Sequence, residues 1–190
     1  MHEVSLGYTI SDYLSGATIE ATTYEDLRQA IARMLVERKG YPAQRLRSKV
    51  RVTFPVGEGS YTRSVDLVAY DDSGRPLLLI IFCAGEVETY VREAVAAARL
   101  MEEGAPPLAV VTDTQSAVLV SVGDGQRLEH RDYQALPDWD RLAELAKQVP
   151  GYELTDKRRV VEGRLLYALS ELSCGCGDEC EIGSKTGDRS

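Results

Sequence analysis

Apolar and polar positions along this chain repeat with two periods, and each change of period marks an element. Leu27, Ile31, Met34 and Leu35 recur at helical spacing just after Thr22, Thr23, Tyr24 and the acidic pair Glu25 and Asp26. Acidic residues in a first turn suit the positive end of a helix. Gly40 and Pro42 predict where that helix stops, because glycine caps and proline cannot continue the turn. Three strand-like stretches follow at Val50 to Val56, Ser60 to Tyr70 and Pro76 to Cys83, set apart by Gly57 to Gly59 and by the turn Asp71-Asp72-Ser73-Gly74. In the third, Leu77 to Phe82 is apolar at every position. That pattern predicts a central strand covered on both faces. Glu86 to Met101 returns to helical spacing, with Gly104 and Pro106 ending it. Leu108 to Val111 and Ala117 to Val122 predict two further strands, and Pro137 to Gln148 and Lys157 to Leu172 two further helices. Helix, three strands, helix, two strands is a mixed α/β order.

Length and composition leave this picture intact. A chain of 190 residues, 44% hydrophobic and 27% charged, fits one folded domain with a short tail. The organisation expected is an N-terminal extension over 1–20, an α/β domain over 21–150, a C-terminal helix over 151–172 and a flexible Cys/Gly-rich tail over 173–190. No apolar run approaches the ~20 residues of a membrane span, and Met1 to Gly7 lacks the pattern of a secretory leader. With Cys83 alone in the body of the chain, the cysteines do not form a disulfide framework, and a cytoplasmic location is expected.

Charge restricts the choice of partners. With 30 acidic and 22 basic residues, the net charge of −8 repels nucleic acid overall, so any contact with DNA is expected to be local, weak and salt-sensitive. The local candidate is Arg45, Arg47, Lys49 and Arg51, which alternate with Leu46, Ser48 and Val50. In a regular strand these four side chains share one face, either as a solvated edge or as a phosphate-binding stripe. In the tail, Cys174, Cys176 and Cys180 place three thiols within seven residues, a spacing able to hold zinc or part of an iron–sulfur cluster. Cys83 reads as core, and His2 and His130 as exposed polar residues without partner motifs.

The segments DYLSGATIEATTYEDLRQAIARMLVERKGYP, RSVDLVAYDDSGRPLLLIIFCAGEVE and APPLAVVTDTQSAVLVSV resemble, in that order, the N-terminal domain of type I restriction enzyme R subunits. The likeness implies a restriction-endonuclease-like fold, a three-layer α/β/α core around a mixed central sheet. It also implies a PD-(D/E)XK nuclease site, in which an aspartate and a glutamate hold Mg²⁺ and a lysine two residues on positions the attacking water. Residues i and i+2 of a strand share a face, which accounts for that last spacing. Asp66 takes the aspartate position, but Phe82 and Ala84 stand where the glutamate and the lysine belong. An aromatic ring and a methyl group can neither bind a cation nor carry a proton. The glutamine and tyrosine of the following helix correspond to Glu93 and Ala97, and the family's TNG reads Thr112-Asp113-Thr114. Glu25 matches an acidic position able to face the site.

The resemblance with these departures implies a nuclease fold whose site is degenerate, working as a DNA- or protein-binding or regulatory module. One alternative is an active Mg²⁺-dependent endonuclease with relocated groups, drawn from Glu86, Arg92 or Arg99. Another is a protein whose cysteine tail binds metal or docks a partner. Composition and motifs leave the oligomeric state open.

Overall fold

The computed structural model describes residues 4–132 and 135–173. A hairpin of β1 (Ser5–Ser11) and β2 (Thr18–Thr22) leads into α1 (Glu25–Lys39). After a short 3-10 turn come β3 (Leu46–Val56), β4 (Gly59–Tyr70) and β5 (Pro76–Phe82), then α2 (Val87–Arg99). β6 (Leu108–Thr112), β7 (Ser116–Ser121) and β8 (Arg127–Asp132) complete the main sheet, and α3 (Trp139–Gln148) and α4 (Asp156–Ser173) follow. The six strands lie in the order β3-β4-β5-β6-β7-β8. All neighbours are antiparallel except β5 and β6, which are joined through α2 and run parallel. Parallel neighbours require such a crossover, and a helix supplies it.

β5 explains the three layers. Leu78, Ile80 and Phe82 enter a core shared with Ile31 and Leu35 of α1 and Leu142 of α3. Leu79, Ile81 and Cys83 enter a second core with Val91, Ala94 and Ala98 of α2 and Leu166 of α4. The chain is thus an α/β/α sandwich around a mixed sheet, as the unbroken apolar run in this strand predicts. Among the described residues, no helix is long and apolar enough to cross a membrane.

Three stretches differ from the sequence expectation. Residues 5–22 form a largely exposed hairpin with an irregular register around Gly7 at φ 74°, so no regular alternation advertises it. β8 is a polar edge strand, exposed at all but one position, and carries no period-2 signal. β3 begins at Leu46 rather than Val50, because the chain switches faces inside it. Leu46 lies in the α1 core whereas Val52 and Phe54 lie in the α2 core, and between them Lys49 adopts φ 51°. β4 switches at the corresponding place, with Val65 in the α2 core and Leu67 in the α1 core. The pairings Ser48 with Leu67 and Val50 with Val65 put Lys49 opposite Asp66.

Candidate functional site

The N-terminal half of α1 buries polar side chains. Leu27, Ile31 and Leu35 pack it onto the sheet, while Glu25, Arg28 and Gln29 turn inward at the end of the sheet where β4 parts from β5. Gly40, left-handed at φ 72°, closes the helix, and the Tyr41 amide donates to the Leu35 carbonyl. That closure fixes the direction of the helix and hence where Arg28 reaches.

Arg28 is the centre of the site. Its Nη1 lies 2.5 Å from Glu25 Oε2, and its Nε and Nη2 donate to Asp66 Oδ1 at 3.1 and 3.0 Å. The second Asp66 oxygen accepts the Phe82 amide at 2.8 Å, a bond that takes over where the β4–β5 ladder ends. Lys49 Nζ lies 2.6 Å from Glu25 Oε2, and Gln29 Nε2 donates to Glu25 Oε1 at 2.9 Å. Gln29 also bonds Asp12 and accepts the Tyr13 amide, which fastens the β1–β2 hairpin to the cluster. Two carboxylates, Glu25 and Asp66, therefore face two cations, Arg28 and Lys49.

Burial pushes the Asp66 carboxyl above its ordinary value, against the downward pull of Arg28 and the Phe82 amide. Glu25 sits below the usual carboxylate range. Burial acts to raise it, but the Lys49 and Gln29 hydrogen bonds and the charges of Arg28 and Lys49 outweigh that effect.

Phe82 is buried, with its ring centre 5.7 Å from that of Tyr24, and Ala84 is exposed just past the strand. Cys83 points to the opposite core, where burial pushes its thiol up to about 12. Glu93 is buried on the α2 side and pairs with Arg63 at 2.8 Å. Ala97 is fully buried. Thr112 pairs with Phe82 across β5 and β6, and Thr114 takes φ 81° in the turn that follows.

The expected basic stripe is divided. Arg45 lies in the 3-10 turn and pairs with Asp72. Arg47 stacks over Tyr70, a residue of the α2 core, with 4.5 Å to the ring centre. Lys49 turns to Glu25 on the α1 side. The left-handed residue at Lys49 breaks the alternation on which a common face depends, so the side chains of Arg45, Arg47 and Lys49 do not line up.

A family model described as "Type I restriction enzyme R protein N terminus (HSDR_N)" matches residues 23–137. The chain belongs to this family. Among solved structures it is similar to the type IIG restriction endonuclease BpuSI, at 11% identity and a TM-score of 0.34, over 77% of this chain and 15% of that one. No curated protein matches it.

In this member of the R protein N-terminal family, the positions implied for Mg²⁺ do not fit the ion. Mg²⁺ takes six oxygens in near-octahedral geometry. At the position where the sequence resemblance implies a carboxylate, Phe82 supplies a ring. Each oxygen of Glu25 and Asp66 already accepts a hydrogen bond or ion pair from Gln29, Arg28, Lys49 or the Phe82 amide. Among the described residues, no group of three His, Cys, Asp or Glu is arranged to hold a metal.

The groups considered for relocation lie elsewhere. Glu86 caps α2 and is exposed, as is Arg92. Arg99 holds the Val122 and Gly123 carbonyls and Glu162. His130 is exposed at β8, 3.1 Å from Glu88. Cys174, Cys176, Cys180 and His2 lie outside the described residues.

Sequence reasoning missed Arg28, Gln29 and Asp12 as site residues and assigned Lys49 to another surface. One signal was available. Glu25, Arg28 and Gln29 stand at i, i+3 and i+4 and so form a polar row on a helix that must bury its neighbouring face.

Proposed function

We propose that this protein is a non-cleaving member of the R protein N-terminal family, a nuclease fold retained as a binding or regulatory module. The observation that carries the reading is the Arg28 guanidinium between Glu25 and Asp66, with the Phe82 ring and the Ala84 methyl where a carboxylate and an ammonium would be needed. Hydrolysis of a phosphodiester at a metal site requires a polarised phosphoryl oxygen and an activated water. The carboxylates left here are occupied by the chain's own donors. Division of the basic stripe between two faces supports a protein partner over duplex DNA, since phosphate binding gains from clustered cations.

The left-handed backbone at Lys49 favours one second reading. It brings an ammonium to Glu25, on the same helix that delivers Arg28 to Asp66, so two carboxylates and a lysine converge as in a relocated nuclease site. One experiment separates the two: incubation of the purified full chain with linear duplex and single-stranded DNA in Mg²⁺ and in Mn²⁺. The module reading expects intact DNA. Metal-dependent cutting that disappears in both Asp66→Ala and Lys49→Met would overturn it in favour of the relocated site.

A further inference from the structure

We infer that Arg28 is a resident cation, whose guanidinium fills the place between Glu25 and Asp66 where a divalent metal would have to sit, so that metal can enter only when Arg28 is removed. The inference deepens the non-cleaving reading of this site, but it concerns what the two carboxylates hold, whether or not DNA is cut.

Three features support it. Arg28 is 5% exposed at its side chain and Glu25 1%, so the charge on each must be met by protein rather than water. The guanidinium uses different edges on the two acids: Nη1 goes to Glu25, and Nε with Nη2 to Asp66. A rigid planar fork suits two carboxylates held by different elements, one on a helix and one on a strand. Lys49 supplies the second positive charge, and the four groups sum to zero. A dication added to this neutral cluster would bring excess charge into a buried site and compete for oxygens already engaged. Removing Arg28 leaves an excess negative charge, frees Asp66 Oδ1 and leaves Glu25 Oε2 to Lys49 alone, which opens the site to a cation that prefers oxygen ligands.

The test uses the full chain without DNA and the paramagnetic probe Mn²⁺ alone. Backbone amide signals of Arg28, Phe82 and Ala84 are followed during titration, alongside the thermal midpoint. In the parent protein, Mn²⁺ should neither broaden these three signals selectively nor raise the midpoint. In Arg28→Ala, Mn²⁺ should broaden them and raise the midpoint, acting at concentrations about a hundredfold below the highest at which the parent stays unresponsive, as expected when a buried charge loses its partner. Both responses should disappear in the double variant Arg28→Ala with Asp66→Asn. Should Arg28→Ala be unfolded without metal, folding on addition of Mn²⁺ supports the inference. A variant that Mn²⁺ neither folds nor stabilises overturns it. Selective broadening at Phe82 and Arg28 in the parent overturns it independently of any variant, because metal and guanidinium would then share the site. Failure here leaves the cleavage assay untouched, and DNA cutting would not by itself restore the resident-cation assignment.

Discussion

Replacing Asp66 by alanine strands the Arg28 guanidinium. The substitution removes two hydrogen bonds, of 3.1 and 3.0 Å, from a side chain 5% exposed, and takes away the 2.8 Å acceptor of the Phe82 amide. Breaking a buried ion pair from one side costs about 3–5 kcal/mol, because the remaining charge stays in a poor solvent. Two features favour the lower end: Glu25 still touches Arg28, and the Asp66 side chain is 17% exposed, so water can enter the space left behind. A loss of about 3 kcal/mol is therefore expected, from a total that for most domains is about 5–15 kcal/mol. For a chain of this length it corresponds to a fall in thermal midpoint of about 6–12 °C. Urea unfolding followed by circular dichroism measures it directly. Asp66→Asn, which keeps an acceptor for the Phe82 amide but not the charge, should fall between alanine and the parent. Glu37→Ala is the control: it removes a partner of Arg33 in an exposed pair 3.9 Å apart and should leave the midpoint unchanged. A loss below about 1 kcal/mol for Asp66→Ala, the range of surface pairs, would refute the premise that this cluster is electrostatically closed.

Two further predictions test other parts of the fold. The Ser73 hydroxyl, then the Arg75 amide and side chain, hold the Asp71 carboxyl down at about 2 from 3.8. A depressed folded value stabilises above the unfolded one and is lost as pH falls through the folded one, so this contribution should fade between pH 3.8 and about 2. Asp71→Asn should flatten that part of an acid-unfolding profile, and an unchanged profile would count against the turn. Gly123→Ala would place a Cβ 2.1 Å from the Pro150 carbonyl oxygen, a clash with backbone rather than with a flexible side chain. It should lower stability by about 1–3 kcal/mol or more as the segment leading to α4 is displaced, and a midpoint equal to the parent's would show that the approach is looser than 2.1 Å.

The site also shows how a local backbone choice directs chemistry. A left-handed residue in β3, opposite Asp66 in β4, exchanges the faces of both strands. The exchange lets Val52, Phe54 and Tyr61 serve the α2 core while Lys49 reaches the α1 side. A β-branched residue would resist this conformation more than lysine does.

The linear order of residues determined the parts of this protein that depend on local period and local chemistry. The apolar run of β5 required cover on both faces, and Gly40 set the end of α1, because each follows from the geometry of one element. Family membership was likewise legible in motif order. Tertiary structure alone decided what became of the acids that remain. Glu25, Arg28, Lys49 and Asp66 lie on three elements, and their pairing depends on helix direction, on a strand that leaves its ladder early and on one left-handed residue. No period in the sequence encodes those long-range distances. Arg47 and Lys49 part to different faces for the same reason: alternation predicts a common face only while a strand keeps its pleat, and Lys49 breaks it.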